Sequence, residues 1–428
     1  MTELLLPPDD GLISYQFPHQ FSLESYVKSG FVFREYKSFF GVKWQRTYLQ
    51  LKGTTIEVFP PDGTTVKPLL SIPVSCCVVS TILRQSQNCV QITGEEDLDI
   101  TFYTSSFKEN DDWLVSLKCA QCLAKYMAFC ELDDLTPDEE LLQAFSPSSL
   151  RDLVLVGKIF PVSIFSTLHL PLELARIRKI VIQNCGLTNE SLAYFEEPLI
   201  ASSLLEVDFS DNLLSESGGN ILGKILARSL SIIKLNVSGN NLGDLGVEGI
   251  ATGLVSHHVF YEGKQISLLF LGLSRVNLTS KGIQLLSDVL VPNFLLGNME
   301  TITIKELDLS NNSIGDYGIK NFKPIIYSSC ISELNLSNCS VSKLGTELFS
   351  LMLGTNSSIK KLNLSEWKFN SKSMLQFIKS VRNHQELKQV ELNNCEIESE
   401  ALELFFSWKE RVVKISKLIV NRSEAIIP

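Results

Sequence analysis

Residues 304–314 read Ile304-Lys-Glu-Leu307-Asp-Leu309-Ser-Asn-Asn312-Ser-Ile314. Leu307 and Leu309 alternate with polar residues, as in a strand that buries one side, and Asn312 follows at the end of that strand. Residues 315–329, GDYGIKNFKPIIYSS, then carry apolar side chains at helical spacing. This segment therefore predicts one unit of strand, turn and helix.

The same pattern recurs along the last two-thirds of the chain. Its first apolar position is occupied by Leu150, Ile177, Leu204, Ile232, Leu268, Ile304, Ile331, Ile359, Leu387 and Ile415. Successive positions are 27, 27, 28, 36, 36, 27, 28, 28 and 28 residues apart. One copy alone would expose too much apolar surface, so we expect the copies to stack. Stacking predicts an α/β solenoid with parallel strands on the inner face and helices on the outer face.

A second column of residues lies where each strand ends. It contains Lys158, Cys185, Asn212, Asn240, Val276, Asn312, Cys339, Trp367, Cys395 and Ser423. An Asn or Cys at this bend can satisfy backbone groups that the turn leaves unpaired. As metal ligands the cysteines are too sparse, because each repeat has one and no histidine accompanies them. We therefore predict a structural role here, with no metal and no cofactor.

Units of 27 to 28 residues with Asn or Cys at the turn resemble the ribonuclease-inhibitor type of leucine-rich repeat. The resemblance covers about 280 residues, in about ten units. That group includes nuclease inhibitors, GTPase-activating proteins, actin regulators and immune sensors. It therefore implies protein binding without naming the partner.

The inner strand face is the natural surface for such a partner. Its candidate binding residues are Asp208, Asn236, Asp308, Asn335, Asn363 and Glu391. This polar, mildly acidic column has two interpretations, a solvated sheet surface or a dedicated groove. The two 36-residue units add a further option, since their extra residues predict loops at the rim. Phe260, Tyr261, Phe294 and Leu295 in those loops are candidate anchors, or they fold back on their own helices.

Residues 22–130 lack the repeat pattern and show short β-rich runs followed by one helix from Phe107 to about Phe129. Three runs and a tryptophan resemble a pleckstrin-homology (PH) domain. The runs are Gly30-Phe-Val-Phe-Arg34, Lys43-Trp-Gln-Arg46-Thr-Tyr48-Leu49-Gln-Leu51 and Leu70-Ser-Ile-Pro73-Val-Ser-Cys76, and the tryptophan is Trp113. The resemblance implies a small β-rich barrel closed by a C-terminal helix. Cys119-Gln-Ala-Cys122 on that helix predicts core packing, because no second cysteine pair follows at zinc spacing.

The PH resemblance implies a phosphoinositide site on the first two strands and the loop between them. The candidate headgroup-binding residues are Arg34, Lys37, Lys43 and Arg46, and the candidate membrane-contacting residues are Phe39 and Phe40. Gln45 and Thr47 stand where the binding pattern places further cations, which removes about 1 kcal/mol of surface attraction each. Weak binding to an anionic membrane and a purely protein-binding or structural role both stay open.

The sequence between the two regions predicts a short helix. Thr136 is its expected N-cap, Pro137 its first residue and Glu139 the second half of a capping box. This helix would shield the apolar edge of the first repeat. The expected organisation is an extension at 1–21, a PH-like domain at 22–130, a linker with a capping helix at 131–149 and repeats at 150–428.

Composition and missing motifs restrict the function. The net charge of -10 argues against broad nucleic-acid binding. The first residues, MTELLLPPDDG, lack the basic segment of a signal peptide, and no long apolar stretch predicts a membrane span, so we expect a cytoplasmic protein. No nucleotide-binding, serine-hydrolase or zinc-protease motif is present among these residues, and only five histidines are available as bases. The sequence predicts a non-enzyme.

These expectations favour a cytoplasmic adaptor that binds a protein through its repeats and lies at most weakly against a membrane. The order of a divergent PH domain and ribonuclease-inhibitor-type repeats resembles the CARMIL family, capping protein regulators and myosin-I linkers. That resemblance implies control of cortical actin. The alternative is a regulator of a small GTPase, because a GTPase-activating family uses the same type of repeat.

Overall fold

The computed structural model describes residues 27–38, 41–60, 67–95, 97–145, 152–168, 178–260, 267–290, 303–328, 331–409 and 417–419. The chain divides into two compact units, Met1–Ala124 and Lys125–Pro428. Each unit has its own β-sheet, and the two sheets differ in strand direction.

The first unit contains one seven-stranded antiparallel sheet and most of a long helix. Its strands are β1 Val27–Ser38, β2 Gly41–Lys52, β3 Thr55–Phe59, β4 Leu70–Pro73, β5 Val78–Arg84, β6 Gln87–Thr93 and β7 Asp99–Tyr103. They pair in the order β4-β3-β2-β1-β7-β6-β5, and helix α1 follows at Phe107–Leu132. The β-rich barrel with a C-terminal helix is thereby confirmed.

Helix α1 closes the core of this unit with its buried tryptophan. Trp113 is fully buried and meets the ring of Phe102 edge-on, with 5.8 Å between ring centroids. Cys119 and Cys122 are also buried on this helix, as core packing requires. Burial raises the pKa of the Cys119 thiol to about 12, so Cys119 has the character of a buried apolar side chain.

The second unit contains a parallel sheet built from one strand per repeat. Its strands are β8 Asp152–Val156, β9 Lys179–Gln183, β10 Glu206–Asp208, β11 Lys234–Asn236, β12 Ser267–Gly272, β13 Thr303–Asp308, β14 Glu333–Asn335, β15 Lys361–Asn363, β17 Gln389–Glu391 and β19 Lys417–Ile419. Each pairs with the strand of the neighbouring repeat. Two short strands outside this sheet, β16 Lys368–Phe369 and β18 Glu396–Ile397, pair with each other.

Helices follow the strands and pack on one side of the sheet. They are α2 Glu139–Ala144, α3 Val162–Thr167, α4 Asn189–Ala193, α5 Glu196–Ala201, α6 Glu216–Arg228, α7 Gly243–Phe260, α8 Ser280–Leu290, α9 Gly315–Asn321, α10 Lys323–Ser328, α11 Lys343–Leu353, α12 Ser371–Asn383 and α13 Ser399–Lys409. Consecutive helices contact each other along the array. The predicted α/β solenoid is confirmed.

The repeat register is visible in the buried side chains. Seven of the predicted first positions belong to the described residues, and all seven are buried: Leu204, Ile232, Leu268, Ile304, Ile331, Ile359 and Leu387. Leu150, Ile177 and Ile415 lie outside those residues. At about 1.5–3 kcal/mol for each buried aliphatic side chain, this register stabilises the stack more than any polar contact on its surface.

The capping helix forms, but it begins two residues later than predicted. Its N-cap is Asp138 and not Thr136, because the Asp138 carboxylate accepts hydrogen bonds from the backbone N–H groups of Glu140 and Leu141. The Asp138 N–H in turn donates to the Tyr126 hydroxyl at 2.8 Å. Helix α2 contacts β8 of the first repeat and buries Leu141 against this edge.

The insertion in the first long repeat is partly helical, since α7 continues to Phe260. Tyr261, Phe294 and Leu295 lie outside the described residues. Within the described part of the chain, no helix has both the length and the apolar character that crossing a bilayer demands.

Candidate functional site

The side of the parallel sheet that faces away from the helices is the first candidate site, and we call it the strand face. Two columns of side chains run across it, fixed by the strand register. The first column is Lys179, Glu206, Lys234, Phe270, Glu306, Glu333, Lys361 and Gln389. The second column is Val181, Asp208, Asn236, Gly272, Asp308, Asn335, Asn363 and Glu391.

Charged residues of the first column pair with each other along the sheet. The Glu206 carboxylate lies 2.7 Å from Lys234 Nζ and 3.7 Å from Lys179 Nζ. The hydrogen bond from Lys234 lowers the pKa of Glu206 below its ordinary value. Lys361 Nζ and Glu333 Oε1 lie 2.5 Å apart in the same column. These half-exposed pairs contribute little stability, but they fix the charge pattern of the face.

Polar residues of the second column are tied to their own backbone. Their side-chain oxygens accept hydrogen bonds from the N–H group two residues later, at 2.9 to 3.2 Å. The residues concerned are Asp208, Asn236, Asp308, Asn335 and Asn363. Glu391 differs, because its carboxylate accepts from the side chain of Gln389. The structure therefore brings the six predicted binding residues into one row, and it gives five of them a turn-forming bond.

An aromatic side chain interrupts the charged column at its centre. Phe270 lies between Lys234 and Glu306 on the neighbouring strands and is half-buried. Its ring covers Gly272, since a Cβ added there would lie 3.0 Å from Phe270 Cε1 and 2.4 Å from Asn236 Oδ1. Glu306 makes no ion pair within the described residues. The alternation of residues along this strand places Phe270 on the strand face, but it is not among the candidate binding residues predicted from the sequence.

The Asn and Cys residues at the strand ends hold the turns together. Asn312 Oδ1 accepts from the N–H groups of Val276 and Leu278, and its amide donates to carbonyls of residues 273 and 309. Cys339 replaces such an Asn and donates its thiol to the carbonyl of residue 309 at 3.3 Å. The structural role predicted for Asn and Cys in this column is confirmed at Asn312 and Cys339. Among the described residues, no three His, Cys, Asp or Glu side chains group as metal ligands.

The β1–β2 hairpin is the second candidate site. Its register places Arg34 opposite Gln45 and Val32 opposite Thr47, and both Val32 and Thr47 are buried. Arg34 and Lys43 therefore belong to the face that continues into the core. Arg46 pairs with Phe33 on the other face, where its guanidinium lies 3.9 Å from the ring centroid of Phe31.

Arg34 is more enclosed than Lys43 on the inner side of the hairpin. Its Nε is buried and has no hydrogen-bond partner within the described structure. Partial burial lowers the pKa of Arg34 below its ordinary value, although the nearby Tyr36 opposes this shift. A partly desolvated guanidinium without an acceptor suits a phosphate oxygen.

The remaining predicted residues of this hairpin are Lys37, Phe39 and Phe40. Lys37 belongs to β1 and pairs with Val42 through the backbone. Phe39 and Phe40 lie outside the described residues. Of the three predicted cations other than Lys37, the backbone register places Arg34 and Lys43 on one face and Arg46 on the other.

Family models match both units. Residues 26–121 match the model described as PH domain. Residues 229–251 and 302–323 match the model described as Leucine Rich repeat. The chain combines a PH domain with leucine-rich repeats.

Curated relatives match part of the chain. NACHT, LRR and PYD domains-containing protein 3 of Rattus norvegicus is 27% identical over 221 residues, which are 44% of this chain and 20% of that protein. Ribonuclease inhibitor of Sus scrofa is 24% identical over 254 residues, which are 52% of each chain. The repeats thus have ribonuclease-inhibitor-like relatives, and the chain spans a fifth to a half of their length.

Solved structures align with about a fifth of the chain. The C-terminal PH domain of pleckstrin, in complex with D-myo-Ins(1,2,3,5,6)P5, has 19% identity and a TM-score of 0.20, covering 22% of this chain and 93% of that one. The PH domain of human oxysterol binding protein-related protein 11 has 15% identity and a TM-score of 0.20, with coverage of 22% and 79%.

Proposed function

We propose that this protein is a non-catalytic cytoplasmic adaptor whose strand face holds a protein partner. Phe270 carries the proposal, because it is a partly exposed aromatic side chain at the centre of a charged column. Binding energy at protein interfaces concentrates in a few central aromatic or Arg side chains surrounded by polar contacts. Lys234 and Glu306 on either side supply opposite charges that can fix the orientation of a partner.

The experiment compares capture of proteins from cell extracts by the wild-type chain and three variants. Phe270→Ala and Glu306→Lys alter the centre of the strand face. Tyr317→Ala, on helix α9 and 78% exposed, is the matched control. We expect both face variants to lose the same partner by about tenfold or more, while the control retains it. Equal recovery by all four chains would contradict the proposal, provided that circular dichroism shows each variant folded.

The PH unit is proposed to add weak contact with an anionic membrane. Arg34 and Lys43 share the inner face of the hairpin, and the buried Arg34 Nε has no hydrogen-bond acceptor within the described residues. The pleckstrin domain in the comparison was crystallised with an inositol pentakisphosphate. At about 1 kcal/mol per cation, two residues give salt-sensitive and transient attachment.

Vesicles containing a phosphoinositide test this contact. Arg34→Ala with Lys43→Ala is expected to weaken sedimentation with the vesicles by about thirtyfold, since two surface cations at about 1 kcal/mol each are lost. Arg46→Ala removes one charge from the opposite face and is the control for Arg34→Ala alone, with a smaller expected effect. Tight binding that survives both high salt and the double substitution would place the lipid site elsewhere.

The finer form of the proposal links this adaptor to cortical actin, as its resemblance to the CARMIL architecture implies. Regulation of a small GTPase is the competing function. A GTP-hydrolysis assay with a panel of small GTPases separates them, because a scaffold leaves the hydrolysis rate unchanged. Stimulated hydrolysis would favour the competing function.

A further inference from the structure

The outer side of the PH sheet carries a group of aromatic rings that the proposed function does not use. We call Phe31, Phe33, Trp44, Tyr48 and Tyr103 the outer aromatic face. Phe31 and Phe33 alternate on β1 and are 39% and 37% exposed. Their strand positions put them opposite Tyr48 and Arg46, on the side away from the buried Val32.

The rings form two neighbouring clusters. In the first, Phe31 and Tyr48 meet edge-on with centroids 5.1 Å apart. In the second, Tyr103 stacks on Phe33 at 5.1 Å and meets Trp44 edge-on at 4.9 Å. The clusters are two residues apart along β1 and about one strand apart across it, which separates them by roughly 8 Å.

This spacing suits a ligand in the polyproline II conformation. That helix has three residues per turn and advances about 9 Å per turn, so prolines one turn apart can meet both clusters. Flat proline rings pack well on aromatic side chains, and proline-rich segments dock in aromatic-lined grooves. An extended peptide without prolines would present its side chains with a period of about 6.8 Å and would fit less well.

The edges of the face provide the polar contacts that such a peptide needs. Polyproline carbonyls have no internal hydrogen-bond partner and require a donor. Trp44 Nε1 is one, and it donates at 2.9 Å to the exposed side chain of Gln85, which a ligand carbonyl can replace. Arg46 is exposed over Phe31 and can meet an acidic residue beside the prolines.

We propose that the outer aromatic face binds a proline-rich segment of a partner protein, flanked by acidic residues. A membrane suits this face less well, since the rings lie in the middle of strands and are packed against each other rather than displayed on a loop. The proposal concerns the first unit alone and stands whether or not the strand face binds as proposed.

The test uses the full chain labelled with nitrogen-15 at tryptophan. The chain has four tryptophans, so few indole signals appear, and Trp44→Phe identifies the one that belongs to Trp44. The probe is a synthetic peptide of two aspartates followed by ten prolines, and the control peptide replaces the prolines with Gly and Ser. We expect the Trp44 signal to shift saturably with the proline peptide only. The signals of the buried Trp113 and Trp367 should stay fixed and report intact folding.

Variants define the surface. Phe33→Ala removes a ring from the second cluster and is expected to weaken peptide binding by about tenfold. Val78→Ala changes an apolar residue of β5 that is 66% exposed, and it should leave the affinity unchanged. A peptide without the aspartates should bind more weakly at low salt and about equally at high salt, because Arg46 acts through its charge.

Several outcomes would overturn the proposal. The first is a Trp44 signal that does not respond to the proline peptide or responds equally to the control peptide. The second is full affinity in Phe33→Ala. Three further results would assign this face to another occupant, if the peptide itself has no effect. A Trp44 shift on deletion of residues 1–11 would assign it to the chain's own N-terminal segment, and a shift on dilution of the chain would assign it to a second copy. A shift with anionic vesicles would assign it to a membrane.

Discussion

At the scale of single residues, the turn column shows what a side-chain amide does in a stacked repeat. Asn212 and Asn312 each accept from two backbone N–H groups and donate to carbonyls of their own and the adjacent repeat. The sequence predicts the role of this column, because Asn recurs at a fixed distance from each strand. It does not reveal that the partners lie in the preceding repeat, since those contacts depend on the stacking.

Asn312→Ala tests this role. The substitution leaves several buried N–H and C=O groups without partners, at about 1–3 kcal/mol for each group. We expect the free energy of unfolding to fall by about 3 kcal/mol, measured by urea unfolding followed through helical circular dichroism. Ser313→Ala, at the exposed neighbouring position, should change it by less than about 0.5 kcal/mol. A loss for Asn312→Ala as small as that of the control would show that water replaces the amide.

Buried thiols of the same column give a pH prediction. The ordinary thiol pKa is 9.0, and burial raises the pKa of Cys339 to about 12. Between these values the folded chain keeps the proton and the unfolded chain loses it, so raising the pH across this window favours unfolding. Stability should therefore be complete below pH 9 and decline above it. Urea midpoints at increasing pH, compared with those of Cys339→Ala, measure the contribution, and equal slopes would contradict it.

At the scale of elements, glycines decide how closely α6 and α7 pack. A Cβ added at Gly223 would lie 2.2 Å from the backbone carbonyl oxygen of Gly249, and one at Gly253 would lie 2.1 Å from that of Gly223. From sequence, glycine inside a helix indicates only a weaker helix. The structure adds the reason, because the two backbones touch where these glycines meet.

Gly223→Ala is therefore expected to destabilise the repeats, although alanine favours an isolated helix by about 0.5–1 kcal/mol. The clash is with backbone atoms, which cannot rotate away, so we expect a net loss of about 2–3 kcal/mol. Hydrogen exchange of peptides from α6 measures the change, and Lys224→Ala at the adjacent exposed position is the control. Slower exchange in Gly223→Ala would contradict the close contact.

The β1–β2 hairpin shows a limit of sequence reasoning at this scale. The run of motifs predicts both strands, and the alternation of buried residues is visible within each. Which cation of one strand shares a face with which cation of the other depends on the register, and register depends on the connecting turn. Arg34 and Lys43 share a face while Arg46 lies on the opposite face. The prediction from sequence assigns all three to one headgroup-binding site.

At the scale of the whole molecule, periodic apolar residues predict the repeats because burial in a solenoid forces them to recur. Binding residues leave a weaker pattern in the sequence than these buried residues do. Phe270 occupies a strand position that tolerates most residues, so only its neighbours in adjacent repeats show that it is central. The outer aromatic face likewise combines the β1–β2 hairpin with β7, which lies about 50 residues further along the chain. Sequence patterns therefore predict the scaffold well and the proposed recognition surfaces poorly.

We propose that the apolar repeat residues stabilise the stack while the strand face recognises a partner. Photocrosslinking in cells tests it most directly, with Phe270 or Tyr317 replaced by p-benzoylphenylalanine. We predict a discrete adduct from position 270, where the side chain faces the partner, and none from position 317 on helix α9. An adduct from position 317 with none from position 270 would contradict the claim.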